Sequence, residues 1–230
     1  MKAMILAAGL GKRMRPLTDD LPKPLLLCGG KALIVYHIEA LAAAGIKDIV
    51  INHAYLGEKI EAALGDGSAF GVSIQYSAEN QPMNTGAGIA NALPLLGDEP
   101  FILSNGDVWS DFDYRQLTEI DIDLAHLVMV DNPHHNPRGD FALTKKGRLI
   151  ADRDSDHGEG LTYSGISVLH PKLFAFCPSG AFPLRQPLID AMADGRVSGQ
   201  YFEGRWTDVG TPERLQELEA ELSQSASDQQ

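Results

Sequence analysis

The sequence predicts an α/β protein: a Rossmann-like three-layer sandwich with a mixed, mostly parallel central sheet and a small antiparallel extension over the site. Three observations carry that expectation. Short apolar runs alternate with segments of helical period up to about residue 130, the punctuation of β-α-β units. Runs such as Phe101-Ile102-Leu103 are apolar on consecutive residues, as in strands covered on both faces. Beyond residue 131 the spacing tightens into short strand-like runs without long helices between them, which suits antiparallel pairing.

In order, residues 2–7 form an apolar strand that enters a glycine turn. A helix over 32–44 ends at Gly45, which suits the left-handed position past a helix terminus. A strand over 48–52 leads to a short helix over 56–64, closed by Gly65. Residues 72–76 alternate in polarity as a strand, and 85–96 form a helix rich in small residues. An apolar strand over 100–104 ends at Asn105-Gly106-Asp107, and another strand spans 124–130. Residues 131–139 are a polar loop punctuated by Pro133 and Pro137. Short strands follow near 141–144, 148–151, 163–169 and 197–202. Leu215, Leu218 and Leu222 recur at helical spacing over 213–222, with Thr211 as N-cap and Pro212 at the first position. Residues 1–222 are expected to be one domain, and the polar stretch 223–230 a disordered tail.

Composition bounds the partners. The chain has 230 residues, ordinary globular hydrophobicity at 44%, and a net charge of −12. An acidic chain is repelled by nucleic acid and by anionic membranes, so neither is an expected partner. The charge is uneven, however: residues 1–25 hold Lys2, Lys12, Arg13, Arg15 and Lys23 against Asp19 and Asp20. A basic patch on an acidic protein focuses an anion. Cys28 and Cys177 make no disulfide framework. No apolar run approaches the ~20 residues of a membrane span, and no leader pattern precedes the first strand. A cytoplasmic location is expected.

The basic patch has a definite form. The run from Met4 to Gly9 continues as Leu10-Gly11-Lys12-Arg13-Met14-Arg15-Pro16-Leu17-Thr18, and Pro22-Lys23-Pro24-Leu25 follows. Gly9 and Gly11 let backbone approach phosphate oxygens, and successive N–H groups there form an anion-binding concavity. Pro22 and Pro24 fix the backbone on both sides of Lys23 and keep it out of a helix. A polyphosphate suits that arrangement. Two familiar motifs are excluded: Met14 stands where the dinucleotide fingerprint needs its third glycine, and Leu6 and Arg13 break the P-loop pattern. Asp107 follows an apolar strand, and Asp208 lies in Trp206-Thr207-Asp208-Val209-Gly210-Thr211-Pro212. Mg²⁺ favours one or two carboxylates completed by substrate phosphates. His134-His135 lacks a third ligand at zinc spacing, and no Gly-x-Ser-x-Gly elbow is present.

The glycine run and the Pro-Lys-Pro-Leu that follows it together resemble the signature of the sugar-nucleotide pyrophosphorylases, nucleotidyltransferases that join a nucleoside triphosphate to a sugar 1-phosphate. The likeness covers residues 1 to about 222. It implies a glycosyltransferase-A-like fold, with 1–130 mainly binding nucleotide and 131–210 mainly binding sugar. It also implies UTP and a sugar 1-phosphate as partners, Mg²⁺ as cofactor, and a monomer that lacks the hexapeptide β-helix of some relatives. By the same resemblance Ala7, Ala8, Gly9, Gly11, Lys12, Arg13 and Lys23 hold the nucleotide phosphates, while Glu79, Thr85 and Gly86 meet the base. Arg13 and Lys23 act on the reacting phosphates, Asn105, Asp140, Glu159 and Gly165 bind sugar, and Asp107 and Asp208 are the magnesium pair. Glu79 is a departure, because many relatives place Gln there. The stretch Ile51-Asn52-His53-Ala54-Tyr55-Leu56 is most similar to the branch acting on N-acetylmuramate 1-phosphate. That sugar carries a lactyl carboxylate, for which Arg138, Arg153 and Arg205 are alternative partners. Other readings are a thymidylyl-, guanylyl- or cytidylyltransferase of the same fold, a non-catalytic nucleotide-sugar-binding protein, and an oxidoreductase on a dinucleotide fold. The missing third glycine disfavours the last.

Overall fold

The computed structural model describes the backbone of residues 1–81 and 83–227. The elements are β1 (Lys2–Leu6), β2 (Leu27–Cys28), β3 (Lys31–Ala32), α1 (Leu33–Ala43), β4 (Asp48–His53), α2 (Gly57–Leu64), β5 (Ser73–Ala78), α3 (Asn84–Leu96) and β6 (Phe101–Asn105). There follow β7 (Val108–Ser110), β8 (Ala125–Val130), β9 (Phe141–Leu143), β10 (Leu149–Ile150), β11 (Glu159–Leu169), α4 (Arg185–Ala193), β12 (Val197–Tyr201), β13 (Trp206–Asp208) and α5 (Pro212–Ser227).

The parallel half of the main sheet runs β6-β1-β4-β5. Its strands are parallel because each connection between sheet neighbours carries a crossover helix. The chain builds outward from β1 through β4 to β5, then crosses back by α3 to place β6 on the other side of β1. Ligands of such sheets bind beyond the carboxyl ends of the strands at that reversal. The glycine turn leaves β1 there, and Asn105-Gly106-Asp107 leaves β6 beside it. Alternation along β1 sends Met4 to one face with Ile89 and Ala92 of α3, and Ala3 and Ile5 to the other with Ile34, Ile38 and Leu41 of α1. All of these are fully buried, so both faces of the strand are covered as the apolar runs require.

The antiparallel half is organised by β11. It pairs with β8 along one edge. On its other edge Glu159–Leu161 pairs with β9, and Ile166–Leu169 with β6. Between the two stretches the register shifts, and Gly165 adopts φ +83. That backbone region favours glycine. The edge therefore parts between β9 and β6, and the parting faces Asn105. The small antiparallel extension is β9 and β10 against the start of β11. A third apolar cluster joins Met14 and Leu26 to Trp109, Val209 and Leu218, so α5 is packed beneath the glycine turn.

The structure corrects the expected layout at three places. Strand β12 is parallel to β8, not antiparallel, and α4 lies between β11 and β12 where the sequence pattern showed no helix. Strands β8, β11 and β12 complete the main sheet, and only β9 and β10 form the extension. Helix α5 continues past Leu222 to Ser227, where a disordered tail was expected. No glycine or proline follows Leu222 to stop it, and the Ser223 hydroxyl donates to the Glu219 carbonyl within the helix. Residues 228–230 of that expected tail lie outside the described residues. Among the described residues no helix is long and apolar enough to cross a membrane.

Candidate active site

The ends of β1, β4 and β5 are tied by one buried chain of hydrogen bonds. The Ala7 amide donates to Asn52 Oδ1 at 3.0 Å, and Asn52 Nδ2 donates to Glu79 Oε1 at 2.6 Å. Glu79 Oε2 accepts from the Met83 amide at 3.0 Å. Each buried polar atom in this chain is satisfied, which fixes the Glu79 carboxylate at the cleft wall. Helix α3 passes so close that a Cβ at Gly88 would stand 2.6 Å from Glu79 Oε1 and 2.9 Å from Asn52 Nδ2. A Gly88→Ala variant is therefore expected to displace that carboxylate. Its overpacking cost should be about 1–3 kcal/mol, with a several-fold rise in nucleotide KM. Melting curves and nucleotide titrations check both effects.

The basic segment after β1 is built from two single turns. Gly11 takes φ +59, its carbonyl accepts from the Thr18 hydroxyl at 2.8 Å, and a Cβ there would meet Thr18 Cγ2 at 3.0 Å. Met14 anchors the turn from below, which leaves Lys12 and Arg13 exposed and, among the described residues, without a protein partner. The second turn, Lys23–Leu25, is one turn of 3-10 helix, although the flanking prolines were expected to keep Lys23 out of a helix, and Lys23 is buried there. Its Nζ donates to Asp107 Oδ2 at 2.7 Å, with the lysine side chain 9% exposed and the aspartate 45%.

Asp107 is held from behind. The Gly106 amide donates to the Leu6 carbonyl at 2.9 Å, and a Cβ at Gly106 would lie 2.7 Å from that oxygen. Beneath the loop, His37 Nε2 donates to the Val108 carbonyl at 2.7 Å, which leaves Nδ1 as an acceptor beside the Ser104 and Tyr114 hydroxyls at 3.0 and 3.1 Å. Burial lowers the His37 pKa below its ordinary 6.5. The unfolded chain therefore takes up a proton that the folded chain refuses, so stability falls as pH drops below about 6.5. Burial lowers His126 as well, which adds to the same slope. A His37→Asn variant should show a shallower fall in Tm between pH 7 and 5 than the parent.

Asp208 comes alongside from β13, which pairs Asp208 with Val108 of β7, and the Val209 amide donates to the Asp107 carbonyl at 2.9 Å. Its Oδ1 is engaged by Arg214 and, at 3.0 Å, by His135 Nε2. Two aspartates, Asp208 in β13 and Asp107 just ahead of β7, are a donor set of the chemistry Mg²⁺ takes, with oxygen-rich substrates completing the shell. Among the described residues no group of three or more His, Cys, Asp or Glu is set to hold a metal, so protein alone does not build a closed cage.

At the break in β11, Gly165 abuts Asn105 so closely that a Cβ would meet Asn105 Nδ2 at 2.6 Å. Asp140 Oδ2 accepts from the Tyr163 amide at 2.9 Å, and Trp206 Nε1 donates to the Ser164 carbonyl at 2.8 Å. Both contacts brace the strand break in β11. Glu159 is exposed at the start of that strand.

These parts surround a cleft of about 340 Å³. Of the residues expected at the site, Ala7, Ala8, Gly9, Lys23, Glu79, Thr85, Asn105 and Asp107 line it. Gly11, Lys12 and Arg13 follow on the turn beyond Gly9, outside the lining, as do Asp140, Glu159, Gly165 and Asp208. Gly86 is behind the wall, where its missing Cβ makes room for Phe182. Asn52 lines the cleft and was not singled out from the sequence. A lone polar residue ending the apolar run Ile49-Val50-Ile51 was the available signal. The three arginines offered for a lactyl carboxylate each have a contact within the chain. Arg138 pairs with Asp154, Arg153 donates to the Gly139 carbonyl at 3.0 Å, and Arg205 pairs with Asp111 at 3.0 Å.

A cleft at the reversal of a parallel sheet, with a glycine turn and lysine on one side and aspartates on the other, defines a phosphate-handling α/β enzyme of the nucleotide-binding class. Residues 2–148 match the family described as Nucleotidyl transferase. The chain is 49% identical over 227 residues to the N-acetylmuramate alpha-1-phosphate uridylyltransferase of Neisseria meningitidis serogroup B, covering 96% of this chain and 97% of that one. It is 35% identical to the enzyme of the same name from Caulobacter vibrioides, covering 97% of each. The structure of HddC from Yersinia pseudotuberculosis complexed with GMP-PN superposes with a TM-score of 0.78, over 96% of this chain and 98% of that one. At 23% identity that likeness shows the fold alone. The chain belongs to the nucleotidyl transferase family, and it is a nucleotidyltransferase.

Proposed function

We propose that the protein transfers UMP from UTP to N-acetylmuramate 1-phosphate, giving the UDP-sugar and pyrophosphate, as a monomeric cytoplasmic step of cell-wall sugar recycling. The substrate pair follows the relatives that resemble it over nearly the full chain. The observation that carries the chemistry is the contact of Lys23 with Asp107, a nearly buried ammonium on a carboxylate between the glycine turn and the sugar side.

The sugar phosphate oxygen attacks the α-phosphorus of UTP. A new P–O bond forms, the bond from the α-phosphorus to the bridging oxygen breaks, and pyrophosphate leaves with that electron pair. A phosphate monoester has its second pKa near ~6, so the nucleophile is already a dianion at neutral pH and needs no general base. The barrier is electrostatic, and positioned cations lower it. Lys23 stands where the two reacting phosphates meet. Arg13 and Lys12 balance charge on the departing pyrophosphate from the exposed turn, and the amides after β1 face the nucleotide phosphates. Glu79 offers an acceptor for uracil N3–H, and the second hydrogen of Asn52 Nδ2 is a donor for a neighbouring base carbonyl. Asp107 and Asp208 are the residues that would hold Mg²⁺, which would supply charge neutralisation to the reacting phosphates.

The test is pyrophosphate release in magnesium, crossing the four nucleoside triphosphates with N-acetylmuramate, N-acetylglucosamine, glucose and mannose 1-phosphates. Release confined to UTP with N-acetylmuramate 1-phosphate is expected. Release with another pair would keep the mechanism and replace the substrate. No release from folded protein would favour a non-catalytic nucleotide-sugar-binding protein.

A further inference from the structure

We propose that Arg185 recognises the carboxylate of the acidic sugar acceptor, and so sets the preference for a substrate bearing a lactyl group. The proposal rests on the reading of that acceptor as N-acetylmuramate 1-phosphate. A lactyl carboxylate is an anion at neutral pH. It must approach a cleft lined by Glu79 and Asp107, on a chain of net charge −12. Without a cation its binding is opposed by every nearby acid.

The arginines on the sugar side are almost all in use. Arg138, Arg153 and Arg205 have the partners given above, and Arg214 is committed to Asp208. Arg185 differs. It opens α4, its side chain is exposed, and among the described residues no carboxylate lies in ion-pair range of it. Its guanidinium carbon stands 4.7 Å from the centroid of the Phe141 ring, over a residue that is itself buried. Both terminal nitrogens reach the Asp140 carbonyl at 3.4 Å, long contacts that orient the fork and leave most of its N–H groups open.

Arg185 is itself outside the cleft lining, and its neighbours connect it to the site. Pro183, two residues before Arg185, lines the cleft. Asp140, beneath the guanidinium, holds the Tyr163 amide just ahead of Gly165 and Asn105. A planar fork stacked on an aromatic ring loses little freedom on binding, and its geometry matches a carboxylate bidentately. Lysine has neither property, so the site asks for arginine in particular.

The test uses the whole protein and two acceptors, N-acetylmuramate 1-phosphate and its lactyl methyl ester, with UTP and magnesium. The parent should prefer the acid over the ester by about 10–100-fold in kcat/KM, the range of a charge-assisted hydrogen-bonded pair. In Arg185→Met the preference should collapse towards unity, through KM and not kcat. Arg185→Lys should fall between the two, and melting temperatures establish that each variant is folded. An acid preference unchanged in Arg185→Met, or a parent that treats acid and ester alike, would overturn the role of Arg185 alone. A parent that turns over neither muramate compound but accepts another sugar 1-phosphate would overturn the acceptor reading, and the role of Arg185 with it.

Discussion

A Lys23→Met variant is expected to lose about 10²–10³-fold in kcat while KM for either substrate moves less than about tenfold. The asymmetry follows from where the ammonium sits. Pro22 and Pro24 hold its backbone, and the side chain is 9% exposed, so little reorganisation accompanies reaction. Two anions must come together, and charge must then move onto the departing pyrophosphate. An ammonium fixed at their meeting point interacts more strongly as that charge develops, so its loss appears in the transition state more than in the bound ground state. Methionine retains most of the stem volume, which separates the charge from its packing. The aspartate left behind is 45% exposed and can be hydrated, so Tm should change little. Steady-state pyrophosphate release gives both constants. A variant with normal kcat and raised KM would demote Lys23 to a ground-state anchor.

What could be read in advance was what is local. The glycine turn and the Asp107 loop each sit within a few residues, and their conformations follow from residue type. The parallel order was legible too, because apolar runs such as Phe101-Ile102-Leu103 demand cover on both faces. Helix α4 was hidden because its ordinary signals are missing. Leu184 precedes it in a helical conformation with no side-chain cap, and Pro187 falls within its first turn. Its start is set instead by Thr85, whose hydroxyl accepts from the Leu184 amide at 3.2 Å across the chain. The direction of β12 was misjudged because its partner is the distant β8, a pairing that the local run does not reveal. Asn52 illustrates the same limit, since its importance arises only where three strand ends converge. So do Arg138, Arg153 and Arg205: sequence shows a cation but not the carboxylate or carbonyl that has claimed it.

Asp107→Asn should be the more damaging of the two halves of the Lys23 ion pair. Turnover in magnesium is expected to drop by at least about 10³-fold, because an amide neither attracts the cation nor neutralises it as a carboxylate does. Stability should fall too, and here the partners are not equivalent. Removing Asp107 leaves a nearly buried ammonium without its counter-charge, whereas removing Lys23 leaves a half-exposed carboxylate that water can reach. A cost of about 1–3 kcal/mol, or roughly 2–12 °C in Tm at this chain length, is expected for Asp107→Asn and clearly less for Lys23→Met. The double variant should regain part of that Tm, because the orphaned charge is gone, while its activity stays lost. Melting curves for the four proteins, with kcat at saturating magnesium, examine both statements. Near-normal turnover by Asp107→Asn would remove it as a metal ligand. Equal Tm losses for the two single variants would mean that Lys23, despite its burial, finds another partner when Asp107 is neutral.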